Sequence, residues 1–124
     1  MSQFILLLRE EDVNFSAYAP EDYQKLVAEF EKFNTKLLKA GKLIGSANLK
    51  KSTAKTLRLK EGQLAIDGPY CETKEAVAGI FLFHAKDMDE AVELAKDCPF
   101  LPIGGSAEVR EVPQLELEGL AKQS

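Results

Sequence analysis

Nine consecutive residues, 67–75, hold the side chains of this sequence best suited to bind a ligand or move a proton. They read DGPYCETKE and bring turn-forming residues, an aromatic ring, a thiol and charged groups together just before a strongly apolar segment. Carboxylates and a lysine at such spacing can hold a small polar molecule or transfer its protons. The candidate ligand-binding side chains are Asp67, Tyr70, Glu72, Thr73 and Lys74.

A rigid turn is the simpler explanation for the first three residues of the stretch, Asp67, Gly68 and Pro69. Asp67 can accept hydrogen bonds from backbone amides just downstream, Gly68 supplies backbone freedom, and Pro69 fixes φ. Such a turn would also aim the side chains that follow it into a pocket. Glu72 and Lys74 leave two alternatives open, an ion pair within the chain or a pair that binds a ligand.

The candidates for a general base are Glu72 and His84, the single histidine of the chain. His84 lies in an apolar segment, and it faces an enclosed space only if that side of the strand meets a partner. In such a mechanism Tyr70 or Lys74 would stabilise developing negative charge. The alternative is a histidine at a strand end, half exposed or hydrogen-bonded. The sequence leaves open whether the protein is an enzyme.

Metal and cofactor chemistry have no support in the sequence. Cys71 and Cys98 are too far apart in sequence to form a Cys-x-x-Cys pair, and the chain has a single histidine as a further potential ligand. We therefore expect no transition-metal site. Reduced thiols are expected, with Cys98 in the core and Cys71 reactive only if Lys74 lowers its pKa. No Gly-x-Gly-x-x-Gly segment, P-loop or Gly-x-Ser-x-Gly elbow occurs, so we expect no cofactor.

Length and charge narrow the class of protein. The 124 residues suggest a single domain over 1–124, and 45% hydrophobic with 29% charged residues is typical of a globular chain. A net charge of −4 argues against nucleic acid or an anionic membrane as partner. No apolar run approaches the roughly 20 residues of a membrane span, and the start lacks a basic secretory region. A cytoplasmic location is expected.

Two helices and six strands are predicted to position these side chains. The first helix has aromatic and aliphatic residues at helical spacing, and the second has Asp87 as its cap with Glu90 reaching back. A β-hairpin is predicted to turn at Glu61 and Gly62, with one face buried and the other exposed to solvent. The predicted helices are 20–40 and the one starting at Asp87, and the strands are 4–8, 43–49, 56–59, 63–66, 78–85 and 107–112. The predicted buried stripes are Tyr23, Leu26, Val27, Phe30, Phe33, Leu37 and Leu38 on the first helix, Met88, Ala91, Val92, Ala95 and Cys98 on the second, and Leu57 and Leu59 on the hairpin.

Without the hairpin, the element order is β-α-β-β-α-β. Right-handed crossovers then give an α+β, ferredoxin-like antiparallel sheet with the first and third core strands in its middle. The runs 4–8 and 80–83 are apolar on both parities, but two helices can cover only one face of the sheet. A second copy is the simplest cover for the other face. We therefore predict a homodimer with its sheets face to face, enclosing space for a small ligand.

The stretch 67–75 closely resembles the Asp-Gly-Pro-Phe signature, followed by Ala-Glu-Thr-Lys-Glu, of the YCII-related (DGPF-motif) family. Further matches to that pattern lie along nearly the whole chain. They are Gly79, the acidic helix start at Asp87, Asp89, Glu90 and Ala91, the pair Cys98 and Pro99, and the run Glu108, Val109 and Arg110. The resemblance implies a ferredoxin-like subunit and a dimeric α/β-barrel assembly.

Three functions stay open once the residues and the resemblance are considered together. Members of the longer, DGPF-bearing branch often lie beside or fused to extracytoplasmic-function sigma factors, which suggests a regulatory or accessory context. The first function is accordingly a homodimer that binds a small organic or anionic ligand near residues 67–75 in an accessory or regulatory role. Members of the shorter branch are thought to use a histidine near the first helix with an aspartate, whereas residues 20–40 here contain no histidine. This departure argues against the catalytic pair of that branch, and the alternative function is a cofactor-free enzyme that transfers protons on a small organic substrate, with Glu72 or His84 as its base. The third is a dimer whose partner is a regulatory protein, bound through the hairpin or the tail.

Overall fold

The computed structural model describes residues 1–10, 18–50, 53–68 and 77–114. Most of the signature stretch, including Tyr70, Glu72, Thr73 and Lys74, lies outside these ranges, and so do Cys71 and the tail from residue 115. The roles assigned to those residues stay predictions. Asp67 and His84 are described.

Each predicted helix and strand is present in the described part of the chain. The ends lie within about two residues of the expected ones, except that the second helix, expected to continue through Cys98 to a stop at Pro99, already ends at Ala95. One element, a short 3-10 helix, was not predicted from the sequence. In chain order the elements are β1 (Ser2–Arg9), α1 (Pro20–Lys39), β2 (Leu43–Asn48), β3 (Thr56–Lys60), β4 (Gln63–Asp67), β5 (Val77–Ala85), α2 (Met88–Ala95), the 3-10 helix (Leu101–Ile103) and β6 (Ser106–Val112).

The main sheet has the strand order β2-β5-β1-β6, and all its neighbouring strands are antiparallel. The first and third core strands, β1 and β5, lie in the middle, as the apolar runs predicted. Together with the two helices this gives a ferredoxin-like α+β fold. Strands β3 and β4 form a separate two-stranded sheet, the hairpin inserted between β2 and β5.

The core lies between the helices and one face of the sheet. Along β1, Phe4, Leu6 and Leu8 are buried, and the register places them opposite residues of β5 that are also buried. Phe33 of α1 meets Phe81 of β5 edge to face, with ring centroids 5.1 Å apart. Residues of the other parity on both central strands are half-buried, because no helix covers that face.

Helix α1 begins at Pro20 without a side-chain cap on Ala19, and it ends before Gly41, whose φ of 71° is the left-handed conformation expected there. The predicted buried stripe is wrong in part. Phe33 and Leu37 are buried, whereas three members of the stripe are exposed because the stripe is wider than the contact with the sheet. These three are Tyr23, Val27 and Leu38.

Helix α2 is capped by Asp87, whose carboxylate accepts a hydrogen bond from the Glu90 backbone at 2.9 Å. The Glu90 carboxylate accepts one from the Lys86 backbone at 3.1 Å. Within the predicted inner stripe, Ala91 and Ala95 are buried, and so is Cys98 just beyond the helix. Met88 and Val92 are exposed, because this short helix contacts the core along a narrower line than the pattern suggested.

Candidate functional site

The signature stretch connects the hairpin to one particular end of the main sheet. Strand β4 ends at Asp67, and β5 begins at Val77, which pairs with Arg9 at the end of β1. Strand β2 ends at the same place, since Asn48 pairs with Gly79 and the Leu49 amide donates to Ala78. We call this end of the sheet, formed by the end of β1, the end of β2 and the start of β5, the signature end.

A cleft of about 490 Å³ lies between α1 and the signature end, and we call it the signature cleft. Its volume is in the range of small-molecule sites, which run from roughly 300 to 1,000 Å³. The floor is aromatic and comes from three separate elements of the fold. These rings are Phe30 of α1, Phe81 of β5 and Phe100 after α2.

Packing fixes the floor and one wall of the signature cleft. Phe30 meets Phe100 edge to face with ring centroids 5.1 Å apart, so neither ring turns freely. At the wall, Ser46 Oγ of β2 donates a hydrogen bond of 3.1 Å to Asn34 Oδ1 of α1. This bond joins the helix to the edge strand and holds two polar side chains at the mouth of an apolar cavity.

The charge of the signature cleft favours neutral or cationic ligands. Glu10 and Glu31 line it, and its lining contains no lysine or arginine among the residues that the structure describes. A ligand with an apolar ring and an amine or hydroxyl donor would fit the aromatic floor and the oxygen-rich mouth. An anionic ligand would depend on Lys74, which lies outside the described residues.

A second, larger cleft of about 780 Å³ lies between the first half of α1 and the segment after α2. Its lining mixes both signs of charge, including Asp22, Lys25 and Asp97. Asp97 is engaged in an ion pair with Lys36. This cleft is more open and does not include residues from the strand ends, so we regard the signature cleft as the better candidate.

Two residues of the signature itself are described, and they form the base of the hairpin. Asp67 is exposed and pairs with Thr56 across the two strands. Gly68 has φ of 145°, and a Cβ built there would lie 2.2 Å from the Ala54 carbonyl oxygen. Only glycine fits this close approach of two backbones. The turn interpretation therefore has a physical basis at Gly68.

His84 is half-buried on the face of the sheet that the helices leave uncovered. It pairs with Gln3 of β1, and its backbone amide donates to the Lys42 carbonyl at 2.7 Å. Seven residues of strand, about 23 Å, separate it from Val77 at the signature end. His84 also lies on the face of β5 opposite Phe81, which lines the signature cleft, and it is not among the lining residues. Proton transfer by Glu72 or His84 stays a prediction.

Cys98 is buried, as expected, and burial raises the pKa of its thiol despite a hydrogen bond with the Phe100 backbone. Its environment favours the unreactive thiol form. Within the described ranges, no group of histidine, cysteine and carboxylate side chains could hold a metal ion. No helix there is long and apolar enough to span a membrane.

Several residues of the signature cleft were not found from the sequence, among them Phe100 of its floor. Tyr23 was assigned to the core but is 53% exposed and lines the signature cleft. Asn34 and Ser46 were not singled out, because their hydrogen bond joins a helix and a strand whose register the sequence does not give.

The fold and the cleft define a ferredoxin-like α+β protein with an inserted hairpin and a small-molecule-sized cavity at one sheet end. The chain belongs to the YCII-related domain family, which matches residues 3–116. An uncharacterised protein from Rhizobium meliloti (strain 1021) is similar to it, with 36% identity over 109 residues. That similarity covers 86% of this chain and 87% of the relative. The resemblance seen in the signature stretch is thereby confirmed.

Proposed function

We propose that this protein is a homodimeric small-molecule-binding protein with an accessory or regulatory role, and that its ligand occupies the signature cleft. The observation that carries the proposal is the position of this cleft. It lies at the sheet end where β5 begins at Val77, and Val77 follows the family signature closely in the sequence.

The ligand class follows from the cleft lining. Phe30, Phe81 and Phe100 offer apolar ring surface, while Glu31 and Asn34 supply oxygen acceptors at the mouth. A small, mostly apolar organic molecule with one or two donor groups satisfies both parts. Glu72 and Lys74 would complete the polar contacts from the signature stretch.

The homodimer is supported by the uncovered face of the main sheet. Ile5 pairs with Leu82 and Leu7 pairs with Ile80, which makes a block of four apolar side chains on that face. All four are half-buried rather than buried in the single chain. We call this block the sheet quartet. A second copy that meets the first through this face would remove the block from water.

A thermal-shift screen of a small-molecule library tests the ligand site. Ligands of the signature cleft should stabilise the wild type, by about 2.7 kcal/mol at a hundred times the dissociation constant. Val27→Arg places a long charged side chain at a cleft residue that is 44% exposed, so the fold should tolerate it while binding is lost. Leu38→Arg, on the same helix but outside the cleft lining, is the matched control.

Lys74→Ala and Glu72→Ala extend the screen to the signature stretch. If the same ligands stabilise both variants as well as the wild type, the signature does not contact the ligand. If Val27→Arg also binds them normally, the signature cleft is not the site and the proposal fails.

A further inference from the structure

The inserted hairpin presents a second block of apolar side chains. The strand register pairs Leu57 with Ile66 and Leu59 with Leu64, so all four lie on one face, and we call them the hairpin quartet. Each is between 58% and 74% exposed. The opposite face of the hairpin is polar and includes Arg58 and Gln63. The prediction that one face of the hairpin is buried is therefore wrong within the described part of a single chain.

No described element of the same chain covers the hairpin quartet. Strands β3 and β4 make extensive contacts with each other and none of comparable extent with any other described strand or helix. A two-stranded hairpin is marginally stable alone in water, and monomers rarely leave such contiguous apolar blocks exposed. The hairpin therefore has the character of an arm that packs on something outside its own described fold.

The area available for dimerisation points to a second copy as that partner. Stable interfaces bury about 800 Å² per partner. The sheet quartet consists of side chains that are already half-buried, so it offers only part of this area. The hairpin quartet supplies more, because its four side chains are mostly exposed. An interface that uses both blocks approaches the size that a stable dimer needs.

The shape of the two blocks agrees with this partner. Each quartet is a two-by-two block on a pair of antiparallel strands, with the same spacing of about 4.8 Å between strands. The hairpin of residues 56–67 carries two basic and two acidic side chains, so no net charge opposes its approach to the acidic remainder of another copy.

We propose that the hairpin of residues 56–67 is an exchanged arm, which packs its hairpin quartet against the second copy of the homodimer and extends the interface formed by the sheet quartet. This inference rests on the homodimer of the proposed function. By two-fold symmetry each copy gives one arm and receives one, so all four apolar blocks are covered at once.

Two lysine substitutions on neighbouring residues of β4 test the arm. Leu64→Lys puts a charge into the hairpin quartet, and Gln63→Lys puts the same charge on the opposite, polar face. Sedimentation equilibrium of the full chain should show a dimer dissociation constant at least about tenfold higher for Leu64→Lys. Gln63→Lys should match the wild type within about twofold. If the dimer dissociation constant of Leu64→Lys equals that of the wild type, the proposed arm is contradicted.

Amide hydrogen exchange of the wild type gives a second measure that does not depend on a variant. Hairpin amides should become more protected as protein concentration rises through the dissociation constant. Protection that is independent of concentration would mean that no second copy covers the hairpin quartet, and it would contradict the proposed arm. A wild type that stays monomeric overturns both the arm and the homodimer, whereas ligand binding in the signature cleft is scored separately by the thermal-shift screen.

Discussion

Lys42 Nζ donates a hydrogen bond of 2.8 Å to Glu90 Oε1, which joins the residue just before β2 to the first turn of α2. Both side chains are partly exposed. The Lys42 hydrogen bond, followed by one from the Lys86 backbone, lowers the pKa of the Glu90 carboxyl below its ordinary value. The ionised form of Glu90 is thus favoured in the folded chain.

Replacing Glu90 by glutamine should make stability less dependent on pH. A carboxyl whose pKa is lower in the folded state contributes stability above its unfolded pKa and loses it as the pH falls through the folded pKa. The melting temperature of Glu90→Gln should therefore lie below that of the wild type at pH 7, with the gap closing below about pH 4. Glu93→Gln, exposed on the same helix, is the control and should change little. A gap that persists undiminished to pH 3 would contradict this assignment.

Gly68→Ala should disturb the base of the hairpin. The new Cβ would lie 2.2 Å from the Ala54 carbonyl oxygen, at a φ of 145° that side chains rarely adopt. A strained backbone of this kind costs of order 1–3 kcal/mol, and hairpin amides should exchange faster with deuterium. Gly45→Ala provides the comparison, because a Cβ there meets nothing within 4 Å. Equal exchange in both variants would show that the backbone at residue 68 relaxes without penalty.

The central strands were predictable because their composition constrains both faces at once. The runs 4–8 and 80–83 are apolar on both parities, a pattern typical of strands in the middle of a sheet rather than at its edges. Gly41 and Asp87 were equally informative, since the end and start of a helix each impose a local chemical requirement. Such signals act over a few residues and need no knowledge of the tertiary structure.

The signature cleft could not be predicted in the same way. Its floor joins Phe30, Phe81 and Phe100, which come together only after two helices pack on the sheet. Helical spacing placed Tyr23 on the inner stripe, but the spacing does not say how far the sheet extends beneath the helix. Leu57 and Leu59 alternate with charged residues, as in a strand that buries one face. This pattern does not tell whether the buried face would pack on the same chain or on another one.

Cys98 should resist thiol reagents in the folded protein. Its side chain is 1% exposed, and burial raises the pKa of the thiol, so both access and thiolate fraction are low. In a Cys71→Ser background, labelling by a disulfide reagent at pH 8 should be slow for the native chain and rapid after denaturation. Native labelling at the rate of a free cysteine would contradict the buried position.

Leu6 and Leu7 are neighbours on β1 whose side chains lie on opposite faces of the sheet. Leu6 is 1% exposed in the core, so Leu6→Ala should cost about 2–5 kcal/mol of unfolding free energy at any protein concentration. Leu7 is half-buried in the sheet quartet, and Leu7→Ala should cost less at low concentration. Its cost should grow as concentration rises, because the dimer buries the remaining surface and the variant loses that gain. Urea denaturation at protein concentrations a hundredfold apart separates the two cases. A Leu7→Ala cost that is the same at both concentrations would mean that no second copy covers this face.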